Sequence, residues 1–112
     1  VIFGGGTGNP YCTTDSCAAL RALEVGADAI LMAKNGVDGV YDADPRKNPN
    51  AKKIDQISLA EMISHKLAIM DLSAAAMLEG KHVAIRVFSM DDPAAFKKVL
   101  MGEKVGTTVI DE

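Results

Sequence analysis

The sequence predicts an α/β fold, a three-layer sandwich with a mainly parallel sheet, on three observations. Short β-branched apolar runs alternate with helical stretches, as layered α/β proteins require. One of those runs, Ala29 to Ala33 (AILMA), is continuously apolar between Asp28 and Lys34, the pattern of a parallel strand covered on both faces. The most glycine-dense segment stands where a first strand would pass into a first helix.

Taken in order, Val1 to Phe3 reads as the end of a buried strand, and Gly4 to Thr13 as a loop. Thr13 or Thr14 can cap a helix whose inward stripe is Ala18, Ala19, Ala22 and Leu23, ending at Gly26. That helix would cross between parallel strands, the second being 29–33. Residues 34–53 are rich in Gly, Pro, Asn and Asp around one short apolar patch, Val40 and Tyr41, and are read as mostly loop. Ser58 with Glu61 forms a capping-box pattern for a helix to about Lys66. A second helix is expected over 71–79, ending at Gly80. Val83 to Phe88 is strand-like, Asp92 and Pro93 open a helix that stops at Gly102, and Thr107 to Ile110 is a last strand.

The 112 residues form one domain at most, and 48% apolar with 24% charged residues is the composition of an ordinary globular protein. A formal charge of -3 gives no basic field, which argues against nucleic acid as a partner. Cys12 and Cys17 have neither a CxxC spacing nor paired histidines and are read as free thiols in a reducing compartment. Absent an 18-residue apolar run or a charged-then-apolar leader, no membrane span is expected and a cytoplasmic location is. The opening VIFGGG has no initiator Met and starts as if in mid-strand, so a longer polypeptide is expected.

The chemistry concentrates at the first loop. In open α/β sheets ligands collect at the C-terminal ends of strands, facing helix N-termini that carry orphan N–H donors and partial positive charge. Glycines 4, 5, 6 and 8 allow close approach to a phosphate, and Thr7, Asn9, Thr13 and Thr14 add short polar side chains. The segment is not a Walker loop, lacking its Lys, nor a clean dinucleotide fingerprint, since Pro10 replaces the third glycine. A tight strand-to-helix turn stays open as the alternative. Asp15 either stabilises the helix start or serves a phosphoryl centre through Mg²⁺ or a Lys. Asp38, Asp42 and Asp44 are turn residues or ribose and metal contacts, Tyr41 covers a base or plugs the core edge, and Asp71 reads first as an N-cap. Lys34 is taken as the only cation near these loops, thin compensation for a polyphosphate. His65 and His82 stand at ligand or triad spacing from no partner.

Three segments then resemble one family. They are GTGNPYCTTDS at 6–16, VDGVYDADP at 37–45, and LAIMD at 67–71 with IRVFSMDDP at 85–93. Together they are similar to the amino-acid kinase (carbamate kinase-like) fold and, within it, to the bacterial uridylate kinases, with TGNPxxTTD the narrowest signature. The resemblance implies that 1–112 is the C-terminal, ATP-binding half of such a domain. It implies transfer of the γ-phosphoryl group of ATP to UMP with Mg²⁺, a step of pyrimidine nucleotide synthesis, in a homohexamer. By resemblance, Thr7, Gly8, Asn9, Pro10, Tyr11, Cys12, Thr13 and Thr14 hold UMP. Asn35, Tyr41 and Asp44 contact ATP. Asp15 is the catalytic carboxylate, Asp71 is a second candidate, and no residue is assigned as a metal ligand. Cys12, Cys17 and Ser89 depart from the usual aromatic, Ala and Asn. The family's K-x-S-G-type loop has no counterpart in these residues, so the chain alone is expected to be inactive. A kinase of carbamate, glutamate or aspartate, and a non-catalytic nucleotide-binding regulatory module, are the alternatives.

Overall fold

The computed structural model describes residues 1–67 and 69–111, so Ala68 of the LAIMD segment lies outside the described residues. Its order is α1 (Thr14–Val25), β1 (Ala29–Lys34), β2 (Val40–Tyr41), β3 (Lys53–Ile54), β4 (Gln56–Ser58), α2 (Leu59–Ser64), α3 (Leu72–Leu78), β5 (Ala84–Ser89), α4 (Pro93–Leu100) and β6 (Thr107–Ile110).

Local chemistry starts and stops these helices. Thr13 caps α1, its hydroxyl accepting the Ser16 N–H at 3.2 Å, and Gly26 ends it in the left-handed conformation at φ 67. The Ser58–Glu61 capping box forms at α2. Asp71 caps α3, and Asp92 caps α4 with Pro93 in its first turn. Helix α2 stops at Ser64, two residues early, through a Schellman motif: the Leu67 N–H donates to Met62 O and the Lys66 N–H to Ile63 O, both at 3.1 Å. Lys66 takes the left-handed position at φ 53, where glycine is usual.

The main sheet runs β1-β5-β6-β4, with β1/β5 and β4/β6 parallel and β5/β6 antiparallel, while β2 and β3 form a separate antiparallel pair. The mainly parallel α/β architecture is therefore borne out. Alternation along β5 assigns its two faces. Ile85 and Val87 enter the larger core with Leu59, Met62, Ala74 and Leu78, whereas Phe88 packs with Ala95 and Val99 of α4. Helices α1, α2 and α3 thus cover one face and α4 the other. At about 1.5–3 kcal/mol per buried large aliphatic side chain, the first cluster supplies most of the driving force.

Four expectations fail. Val1 to Phe3 is not a strand; its side chains are exposed and no sheet strand pairs with it, and an unpaired extended run has no ladder to hold it. Helix α1 consequently crosses between no two observed strands. Strand β1 is covered on one face only: Ala29, Leu31 and Ala33 are exposed because α4 packs beyond them over β5. Ala18 is exposed as well, and the buried stripe of α1 is Ser16, Ala19 and Ala22. Strands β3 and β4 were not expected, being too short to show a period of two.

Candidate functional site

Topology gathers one edge of the molecule. Strands β1 and β5 are parallel and in register from Ala29↔Ala84 to Lys34↔Ser89, so both end on the same side. Helices α1 and α3 each return directly into one of these strands through a short turn, which brings their N-termini to that same side. The hydrogen bonds verify it. The Asp71 N–H donates to Asp15 Oδ2 at 3.1 Å, and the Thr13 hydroxyl donates to Asp71 Oδ2. Residues 56 and 58 positions apart therefore meet.

The glycine loop approaches this junction. Gly5, Gly6 and Gly8 have φ of 84, 66 and 77, a conformation that side chains strain to adopt. Tyr11 adopts it nonetheless at φ 63, with its ring fully exposed. The Asn9 N–H donates to Thr7 Oγ1 at 3.1 Å, and the Arg21 guanidinium donates to Gly6 O at 3.3 Å while paired with Glu24. Of the eight residues read as the UMP segment only Thr7 is half-buried, leaving the rest open to a ligand.

The two carboxylates differ. Asp71 Oδ1 accepts from the Ser73 hydroxyl at 2.7 Å and the Ala74 N–H at 2.9 Å, and Oδ2 accepts from Thr13. These donors, Thr13 first and Ser73 next, hold its pKa below the ordinary carboxylate range. Asp15 uses Oδ2 alone, and among the described residues no donor reaches its Oδ1. That oxygen is available to a cation. Magnesium is commonly held by one or two carboxylates plus substrate phosphates, and Asp15 fits that donor set. Among the described residues no three acidic, His or Cys side chains form a metal cluster.

A cleft of about 580 Å³ opens on the same side, within the range of small-molecule sites. Val40, Leu67, Ile69 and Val87 give it apolar walls, and Tyr41 and Asp44 also line it. Asn35 lies outside its lining and outside that of a neighbouring cleft of about 370 Å³. Lys34 is not the only cation present: Arg46 and Lys66 share the larger cleft with it, and Arg46 lines both. Among the described residues, none of these three makes an ion pair. Arg46 was legible from its place in the 34–53 loop; Lys66 was hidden because its helix ends before it. The Tyr41 hydroxyl donates to Asp38 at 2.7 Å, and this bond first, then burial and the Asp38 charge, push its pKa above the ordinary tyrosine value.

One residue the sequence did not single out holds this cleft together. Thr107 is fully buried; its hydroxyl accepts the Val40 N–H at 2.8 Å and donates to Ile54 O at 2.5 Å. It pins the β2/β3 pair, and with it Tyr41, to the sheet. Gly39 makes room for it, and Gly106 before it lets the chain pass close to the Val87 carbonyl of β5. A Cβ on Gly39 would lie 2.8 Å from Thr107 Oγ1, and one on Gly106 only 1.9 Å from Val87 O.

Comparison with known proteins finds relatives along almost the whole chain. The amino acid kinase family model matches residues 1–89. A uridylate kinase of Limosilactobacillus reuteri is 50% identical over 109 residues, spanning 97% of this chain and 45% of that protein. The structure of UMP kinase from Bacillus anthracis superimposes with a TM-score of 0.94 at 37% identity, covering 98% of this chain and 45% of that one. UMP kinase from Ureaplasma parvum gives 0.86 at 45% identity over 95% and 45% of the two chains. The chain spans about half the length of the relatives it matches. With the family model matched over four fifths of its residues and these likenesses along almost all of it, the chain belongs to the amino acid kinase family.

Proposed function

We propose that this chain is the C-terminal, ATP-binding half of a uridylate kinase, which transfers the γ-phosphoryl group of ATP to UMP and releases UDP and ADP. The observation that carries this reading is the meeting, at one sheet edge, of a glycine loop, two helix N-termini, an available carboxylate oxygen and an apolar cleft with unpaired cations. A phosphate oxygen of UMP attacks the γ-phosphorus in line as the bond to ADP breaks, and such a reaction needs positioning and charge neutralisation more than a strong base.

In this reading residues Thr7 to Thr14 receive UMP, its phosphate near the N-terminus of α1. Tyr41 and Asp44 contact ATP within the larger cleft, and Asn35 sits beside it, next to the lining residue Lys34. Asp15 supplies the carboxylate of the phosphoryl centre, where Mg²⁺ bound with ATP would neutralise developing charge. Lys34, Arg46 and Lys66 add positive charge for the polyphosphate. The working enzyme is longer than this chain, a cytoplasmic homohexamer, and the 112 residues alone do not turn over.

The test is UDP formation from ATP and UMP by a longer chain carrying this sequence. Turnover that Asp15→Asn reduces at least about a thousandfold is expected, a loss typical of removing a key electrostatic group. Phosphorylation of carbamate, glutamate or aspartate in place of UMP would overturn the substrate assignment, and nucleotide binding without transfer to any acceptor would favour a regulatory module.

A further inference from the structure

The bonds around Asp71 form a closed ring of three hydroxyls and the Ser16 N–H. Ser16, 4% exposed, donates its N–H to Thr13 Oγ1 at 3.2 Å, and its hydroxyl lies 3.3 Å from Ser73 Oγ. Ser73 donates its proton to Asp71 Oδ1, so Ser16 is the donor of that 3.3 Å contact. Two arms therefore run from Ser16 to Asp71, one ending on each carboxylate oxygen. Capping α3 needs only the Ala74 N–H on Oδ1. The second donor has another effect. The terminal torsion of an aspartate is broad, and a carboxylate held by one backbone donor can turn; two donors on Oδ1 direct Oδ2 at Thr13. Thr13 is both the cap of α1 and the last residue of the glycine loop before that helix.

We propose that Ser73 is a positioning residue: acting through Asp71, it fixes Thr13 and so sets the end of the glycine loop from across the helix pair. Asp71 is on this account a clasp rather than a group that meets the phosphoryl centre, and Asp15 keeps that contact alone. The consequence for turnover rests on the assignment of the loop to UMP; the structural part does not.

The experiment is hydrogen exchange on this chain, wild type against Ser73→Ala and Ser73→Thr. Loss of the clasp should speed exchange of the Ser16 and Cys17 amides about five- to tenfold, the effect of losing a helix cap. Amides of β5 and α4 should be unchanged, and Ser73→Thr should restore protection. Faster exchange confined to α3, or spread evenly over the chain, would overturn the proposal, since a merely structural serine gives either. In a longer, active chain Ser73→Ala should raise KM for UMP about tenfold with kcat and KM for ATP within about twofold. A fall in kcat with both KM values unchanged would overturn it. If wild type turns over no UMP while the exchange result holds, the function fails and the clasp stands.

Discussion

Replacing Thr107 by Val keeps the volume of a fully buried side chain and deletes only its hydroxyl. The two hydrogen bonds of that hydroxyl each contribute about 1 kcal/mol net, and the Val40 N–H left without a partner adds about 1–3 kcal/mol of unrepaid desolvation. Val40 is itself 5% exposed, so water cannot replace the lost acceptor without opening the β2/β3 pair. The expected loss is about 3–5 kcal/mol. With a urea m-value of about 1.5 kcal/mol/M, the unfolding midpoint should fall by roughly 2–3 M. Thr108→Val is the control: half-buried on the opposite face of β6, it should cost no more than about 0.5 kcal/mol. Exchange of the Val40 amide should also accelerate selectively. A midpoint shift below about 0.5 M, or equal shifts in both variants, would refute the pinning role.

Three further outcomes follow from the same geometry. Gly106→Ala should destabilise by about 3 kcal/mol in a thermal melt, roughly 1–2 from the left-handed backbone at φ 69 and 1–3 from the overlap with Val87 O. Lys66→Gly should raise stability by about 1 kcal/mol by relieving its left-handed backbone, yet weaken ATP binding measured by calorimetry, because the cation leaves the cleft. Because Asp71 titrates below its unfolded value, its contribution is fully present above the ordinary carboxylate pKa of about 4 and is lost as pH falls through the depressed folded value. Asp71→Asn should therefore flatten the acid side of the stability profile and leave its shape above pH of about 5 unchanged.

What the sequence revealed was local. The Ser58–Glu61 box, the Asp92-Pro93 start and the Thr13 and Asp71 caps depend on residues two or three apart, and each formed. Gly26 and Gly102 ended helices for the same reason, their left-handed backbones being readable from residue type. The contacts that assemble the site are not local. Thr107 reaches Val40 across 67 residues and Thr13 reaches Asp71 across 58, and neither threonine differs in type from its threonine neighbour in sequence. Strand direction was equally silent, since a period of two is the same whether β6 runs with or against β5. The exposure of Val1 to Phe3 shows the converse limit: apolar, β-branched residues favour a strand, but pairing decides it. Family motifs bridged part of this gap by naming Asp15, Tyr41 and Asp44 together. They did not separate the saturated carboxylate of Asp71 from the available one of Asp15.

In the proposed enzyme the glycine loop and the larger cleft receive different nucleotides. Amide shift mapping on a longer, active chain carrying this sequence tests it, with UMP and a non-hydrolysable ATP analogue added separately. UMP should perturb Gly6 to Asp15 and leave Val40 to Arg46 unmoved, and the ATP analogue should do the reverse, the two sets meeting only at Asp15. Both ligands moving one and the same set, or neither reaching the glycine loop, would contradict it.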